Sequence, residues 1–319
     1  MKTKLLCTVL VFCLCFSFIG CNKNDKSDSK AETPTVTEFK EPKIESKMTQ
    51  EEKDSIKVGK LSKEHEYYKE VVGIDPECAN YITEISIFDK EIKDTFVVHV
   101  SLPPNFDKNK KYPLVLMTDG VWRLSDHPQL HAAMKNKEIE DVILVSVGYP
   151  NGYDYTNIRV RDLVTNPDNY LHFICDNLMP YLVEQYPVDT MQLTLAGHSY
   201  GGYWTFFSLL HSDTISKNMF KNYYIGSPSV QASTNGNDLN YFRDEFLKKN
   251  KTINCNVYVC VGDREEEAFK YMIGQYVEDF QACKFNGLNL KYEVIPETDH
   301  NTVFKPSIKI ALKMFYGKK

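Results

Sequence analysis

From residue 81 to residue 316 the chain alternates two kinds of segment, and this alternation restricts the fold more than any other feature. Short apolar, β-branched or aromatic runs closed by a turn residue occur at YPLVLMTDG (112–120), DVILVSVG (141–148), MQLTLAG (191–197), NYYIGS (222–227), NVYVCVG (256–262) and LKYEVIP (290–296). Unbroken apolar runs of this length suit strands buried on both faces, as in a parallel sheet. Helical patterns lie between and around them at 127–137, 169–185, 200–211, 238–249, 268–285 and 303–316. Ahead of them, ITEISIFDKEI (82–92) and TFVVHVSL (95–102) alternate apolar and polar residues, which predicts an antiparallel pair. The predicted class is therefore α/β, a doubly wound, mostly parallel sheet with antiparallel N-terminal strands. No internal repeat and no second folded domain is visible.

The N-terminus has a different character. Met1-Lys2-Thr3-Lys4 is a short basic start, and the 15 residues from Leu5 to Ile19 are uncharged and apolar. That run is long for a core strand and short for a bilayer span, but it matches the apolar part of a secretory signal. Phe18-Ile19-Gly20-Cys21 resembles the bacterial lipobox. The resemblance implies cleavage before Cys21, a lipid on its thiol, and anchorage to a membrane of the bacterial cell envelope. Residues 1–20 are thus expected to be a lipoprotein signal peptide and 63–319 the folded domain. Residues 21–62, rich in Lys, Glu, Asp, Ser and Thr, are expected to be a flexible tether, because they offer little apolar surface to offset ordering entropy. Cleavage removes Lys2 and Lys4 and no acid, which would move the net charge from -5 to -7. Lys and Arg are not clustered, so no nucleic-acid partner is expected. Beyond Cys21, the cysteines at 78, 175, 255, 260 and 283 have neither disulfide-framework nor zinc spacing. They read as small core residues, with one bridge open to them in an oxidising compartment. Cys255 and Cys260, five apart in one strand, should face opposite sides.

The sharpest chemical signal is LAGHSYGG (195–202). Ser199 lies between Gly197 and Gly201, where a strand pattern runs directly into a helix pattern. A G-x-S-x-G sequence in that context is a nucleophile elbow: the glycines permit a sharp turn, and the serine is thrust out above the sheet. A nucleophilic serine needs a base and an acid that orients the base, and in this architecture they follow in the order Ser, acid, His. The strand at 256–262 is followed by Asp263, Glu265 and Glu266, and the last strand is followed by ETDHNTV with His300. His198 adjoins the serine, but neighbours on a tight turn point apart, so it is not the base.

LAGHSYGG, VGDRE and ETDHNTV, in this order and spacing, resemble the esterase branch of the α/β-hydrolase superfamily that includes ferric-siderophore (enterobactin-type) esterases and relatives of feruloyl and acyl-carbohydrate esterases. YPLVLMTDG and VSVGYPN…IRVRDLVTNP resemble that branch's oxyanion strand and the loop after its next strand. The likeness covers about residues 81–316. It implies an α/β-hydrolase fold and a cofactor-free, metal-free serine esterase acting on a small-molecule ester. Ser199 would be nucleophile and His300 base. The branch's G-x-x-E pattern puts the acid on Glu265, with Glu266 and Asp263 close enough to substitute. The backbone N–H of Tyr200, after the nucleophile, and that of Val121 would form the oxyanion hole.

Trp122 and Tyr203 or Trp204 flank the expected site and are candidates for a substrate pocket. Arg159 and Arg161 are candidates for an anionic or catecholate substrate, with an ion pair to Asp162 that fixes the loop the alternative for Arg161. His127 and His131, four apart on a helix pattern, lack the partners of a metal site and are expected to be solvated. A second class of function stands beside the esterase, a catalytically silent, lipid-anchored binding protein on a hydrolase scaffold. A Ser, acid and His in series argue for the enzyme. A prolyl-peptidase type would carry a propeller or lid domain that this sequence lacks.

Overall fold

A computed structural model of the chain describes residues 38–317. The expected signal peptide, Cys21 and the first part of the expected tether lie outside the described residues. From residue 38 onward the expected tether is held against the domain. Helix α1 (Gln50–Asp54) is closed by a capping box, Thr49 and Glu52 each bonding the other's backbone N–H. Strand β1 (Lys57–Lys60) pairs antiparallel with β2 (Ile82–Asp89), and its four residues are exposed. Composition misjudged this stretch because an edge strand draws its order from ladder hydrogen bonds rather than from burial. A lysine at each end keeps that edge from pairing further.

The chain then runs through α2 (Tyr68–Ile74), β2, β3 (Asp94–Ser101), β4 (Tyr112–Met117), α3 (Gly120–Arg123), α4 (Asp126–Lys135), β5 (Ile143–Gly148), α5 (Tyr155–Val160), α6 (Pro167–His172), α7 (Met179–Gln185) and β6 (Val188–His198). It continues with α8 (Tyr200–Leu210), β7 (Asn222–Gly226), the small ribbon β8 (Ser233–Thr234) and β9 (Asn237–Asp238), α9 (Leu239–Lys249), β10 (Asn256–Gly262), α10 (Glu267–Ala282), β11 (Asn289–Ile295) and α11 (Phe304–Tyr316). Between α6 and α7 the helix widens into a π turn at Phe173–Leu178. Pro180 has no N–H to give to the carbonyl of Asp176, four residues back. The backbone N–H of Lys47 takes that carbonyl instead, at 2.9 Å. The freed acceptor of a helix thus becomes an anchor for the N-terminal segment.

Among the described residues, nine strands form one sheet in the order β1-β2-β3-β5-β4-β6-β7-β10-β11. β1, β2 and β3 pair antiparallel, β3 meets β5 antiparallel, and the remaining six strands are parallel. This is the α/β-hydrolase arrangement with antiparallel leading strands. Successive strand residues enter different cores. Leu114, Leu116, Leu195 and Val259 join one cluster with α7, α8 and α10, whereas Val115, Met117, Ala196 and Cys260 join a second with α4 and α11. Cys255 and Cys260 fall in opposite clusters, as their spacing predicts, and the cysteines among the described residues are all unbridged. The inner parallel strands are covered on both faces, so what they leave open is their ends, while β11 lies at the sheet edge and is largely uncovered. The carboxyl ends of β4, β6, β10 and β11 carry the candidate residues.

Candidate active site

Ser199 follows β6 and precedes α8, with φ 60° and ψ −119°, a conformation few side-chain-bearing residues adopt. Its neighbours over-determine that geometry. The Ser199 N–H donates to Gly226 O, and the Ser199 carbonyl accepts from the N–H of Tyr203 and of Ser229, each at 3.0 Å. A Cβ on Gly197 would collide with the Gly201 carbonyl, and one on Gly201 would collide with Thr118 Oγ1. Both glycines of the motif are therefore steric requirements: one lets the turn close on itself, the other lets α8 approach the loop after β4.

His300 lies in the loop after β11, with Nδ1 2.8 Å from Glu265 Oε2. Its side chain is 38% exposed while that of Glu265 is 2% exposed. The other Glu265 oxygen accepts the N–H of Gly262 at 2.8 Å and the hydroxyl of Ser227 at 2.5 Å. Burial pushes the Glu265 carboxyl up, but the hydrogen bonds from His300, Ser227 and Gly262 outweigh it and hold the group below the usual range. The other two candidate acids stand elsewhere. Glu266 is exposed at the start of α10. Asp263 Oδ1 accepts the N–H of Thr298 at 3.0 Å and so braces the loop that carries His300. The His198 ring packs 4.6 Å from that of His300. Burial, then the charges of Arg123, His300 and Arg159, keep His198 far below its ordinary pKa and neutral.

A cavity of about 460 Å³ brings these groups together, lined by Ser199, Ser229, Glu265, Phe269 and His300 among others. Ser199 Oγ lies 3.5 Å from Ser229 Oγ. The N–H of Tyr200 opens α8 and has no acceptor within the helix. Val121 is the second residue of α3, after Asp119 in the left-handed region (φ 59°, ψ 40°). Among the described residues no group of three or more His, Cys, Asp and Glu is placed to hold a metal ion.

Several expectations about flanking residues change. The Arg159 guanidinium is bound by both oxygens of buried Asp119, at 2.6 and 2.8 Å, so its charge is already matched and is not turned toward a substrate. It also lies over the rings of Trp122 and Tyr200, tying the loop after β4 to the elbow. Trp122 is half-buried beneath Arg159 and edge-on to Tyr155, and it is not among the residues lining the Ser199 cavity. Trp204 is core, its indole N–H donating to Pro167 O at 3.1 Å, and buried Tyr203 bonds Thr234. Arg161 pairs with Asp162 and with Asp94. His127 is fully buried rather than solvated, because α4 packs it onto the sheet. His131 stacks on Tyr81, ring centroids 3.7 Å apart. Ser227 and Ser229, which touch Glu265 and Ser199, are not singled out as site residues by the sequence. Their signal was the polar pair in GSPS just past β7, and it becomes readable only once β7 is known to lie between β6 and β10.

Fold and site together define a class, the α/β-hydrolases with a serine at the elbow. Residues 90–302, more than half of the chain, match the family model described as Putative esterase. The chain belongs to this family. Over 161 residues it is 27% identical to the Bacillus subtilis protein YjcH, covering 47% of this chain and 62% of that relative's length. The solved structure of BES protein from Bacillus cereus is similar at TM-score 0.63 and 22% identity, over 74% of this chain and 94% of that one. The siderophore hydrolase EstB from Aspergillus nidulans is similar at TM-score 0.61 and 22% identity, over 73% of this chain and 94% of that one.

Proposed function

We propose that Ser199, Glu265 and His300 act as a catalytic triad that hydrolyses carboxylic esters through an acyl-enzyme. The observation that carries the proposal is the 2.8 Å contact of His300 with a buried, hydrogen-bonded Glu265, in the cavity that also holds the strained Ser199. Ser199 Oγ attacks the ester carbonyl, and His300 takes its proton through Nε2. Glu265 stays ionised, orients the imidazole by its contact at Nδ1, and stabilises the imidazolium as it forms. The N–H groups of Tyr200 and Val121 receive the developing oxyanion. His300 then gives its proton to the leaving alcohol. Water, deprotonated by His300, attacks the acyl-enzyme and releases the acid. The physiological ester is of the siderophore or acyl-carbohydrate kind, a reading supported by the similarity to a siderophore hydrolase. A serine-directed phosphonate should add its mass to the wild-type protein at Ser199 and leave Ser199→Ala unlabelled. An active protein that resists the phosphonate would return the elbow to a glycine-rich turn without a nucleophile, and a folded protein without ester hydrolysis would leave the silent binding scaffold as the better reading.

The proposal extends to location. The basic start, the apolar run and Phe18-Ile19-Gly20-Cys21 support a lipid on Cys21 that holds the hydrolase at a bacterial envelope membrane. In cells making the full chain, Cys21→Ser should move the protein out of the membrane fraction or stop its maturation. Unchanged mass and unchanged partition would remove the anchor from the proposal.

A further inference from the structure

Beside the Ser199 cavity lies a second one of about 270 Å³, and Gln231 lines both. The two sit along one helix: Glu266 and Phe269, where α10 begins, face the first cavity, and Tyr271, Met272 and Gln275 face the second. At 1.5 Å per residue, the groove from Glu266 to Gln275 runs about 13 Å. A short acyl group and a simple alcohol do not fill that length.

The second cavity has a distinct chemistry. Tyr271 is 70% exposed and Met272 38%, adjacent large apolar side chains left uncovered at the edge of a cleft. The polar groups around them are the carboxylates of Asp238 and Asp279 and the amides of Asn240, Gln231 and Gln275, and no Lys or Arg lines the cavity. Nearby, Lys270 Nζ is held by Asp263 O and by Glu267, both at 2.7 Å. An open aromatic face ringed by amide and carboxylate acceptors suits a ring with hydroxyl donors on its edge and C–H bonds on its face. It repels an anion.

We propose that this second cavity is a distal subsite for an uncharged, polyhydroxylated ring, so that the ester this enzyme takes is an acylated oligosaccharide, one sugar lying on Tyr271 while its neighbour presents the ester to Ser199. The inference rests on the esterase reading above and narrows its substrate class. Gln231, shared by the two cavities, is the point the connecting glycosidic linkage crosses.

The test compares esters that share one acyl group: p-nitrophenyl acetate, an acetylated monosaccharide and an acetylated trisaccharide. The wild-type kcat/KM should be about five- to ten-fold higher for the trisaccharide than for the monosaccharide, the size of one aromatic contact. Tyr271→Ala should erase that ratio through KM, and Tyr271→Phe should restore most of it. Binding of the unesterified trisaccharide to Ser199→Ala protein, followed by calorimetry, should weaken by a similar factor when Tyr271→Ala is added, whereas a sulfated trisaccharide should bind more weakly than the neutral one. Equal rates on the two sugar esters, or trisaccharide binding indifferent to Tyr271, would overturn the subsite while leaving the esterase intact. Failure of the wild-type protein on all three esters, p-nitrophenyl acetate included, would overturn the esterase reading and the subsite with it.

Discussion

Among the described residues, two places bring a serine hydroxyl to a histidine ring or into its cavity, and they differ in everything else. In the sheet interior, His127 of α4 lies between two hydroxyls, Nδ1 2.6 Å from Ser101 Oγ and Nε2 2.9 Å from Ser146 Oγ. All three residues are buried, and burial pulls the His127 pKa down to about 3, so its ring is neutral. At the carboxyl ends of the parallel strands, His300 is part-exposed, bonded to a carboxylate, and shares a cavity with a serine held at positive φ. The first contact is tighter on paper, yet it has no cavity for a substrate to enter and two hydroxyls where an imidazolium needs an anion. A Ser–His distance alone therefore does not mark a site. Access, backbone strain and an ionised partner do.

The sharpest way to break this comparison is to exchange the serines. Ser199→Ala should lower ester hydrolysis by three orders of magnitude or more, since a triad fails as a unit, and leave the thermal midpoint nearly unchanged. Ser146→Ala should keep the rate per folded molecule within about two-fold and lower the midpoint, because it orphans a buried imidazole nitrogen. Kinetics and calorimetry on the two variants read both axes, and the reverse pattern would interchange the roles assigned to the two serines.

A smaller effect separates the acids. Glu265→Gln should reduce kcat by about 10²- to 10⁴-fold, because an amide cannot stabilise the imidazolium. Asp263→Asn should cost about ten-fold or less, through a looser Thr298–His300 loop, and Glu266→Gln should stay near wild type. If Glu266→Gln is the crippled variant in steady-state assays, the geometry at His300 does not carry the chemistry.

The smallest effect is thermodynamic and belongs to the interior pair. The unfolded His127 titrates near 6.5, while the folded residue stays neutral down to about 3. Between these values the unfolded state binds the extra proton, so wild-type stability falls as the pH drops through that window. His127→Gln removes this contribution. The stability advantage of wild type over His127→Gln should therefore shrink below pH 6.5, by at most about 1.4 kcal/mol per pH unit. Denaturant unfolding at pH 7, 6 and 5 measures it, and an advantage constant across that range would mean His127 takes up a proton in the folded protein.

Some of this was decided by the sequence alone, because the physics is local. A run such as LVLM or VYVCV can satisfy both faces only as a covered strand, and the six strands expected from apolar runs, like the two expected from alternation, are present within a few residues of their predicted bounds. Part of the elbow is legible for the same reason, since a Cβ on Gly197 would meet the Gly201 carbonyl one turn on, whereas Gly201 is required by Thr118 in the loop after β4, which only the folded sheet brings close. The capping box at Thr49 and Glu52 was equally local, though hidden beneath a polar composition that argued for a tether. Other decisions required the tertiary structure. Asp263, Glu265 and Glu266 are nearly equivalent in sequence. The turn after β10 buries one of them beneath His300, 35 residues onward, and leaves Glu266 to solvent. Ser227 gained its bond to Glu265 because β7 is laid between β6 and β10. Arg159 lost its freedom to meet a substrate because Asp119, 40 residues upstream, reached it first. Hydrophobic period and the turn sterics at Gly197 act over a few residues, so they survive in the sequence. The partner of a charge or a hydroxyl depends on strand order and on which neighbours exclude water, and those exist only once the sheet has formed.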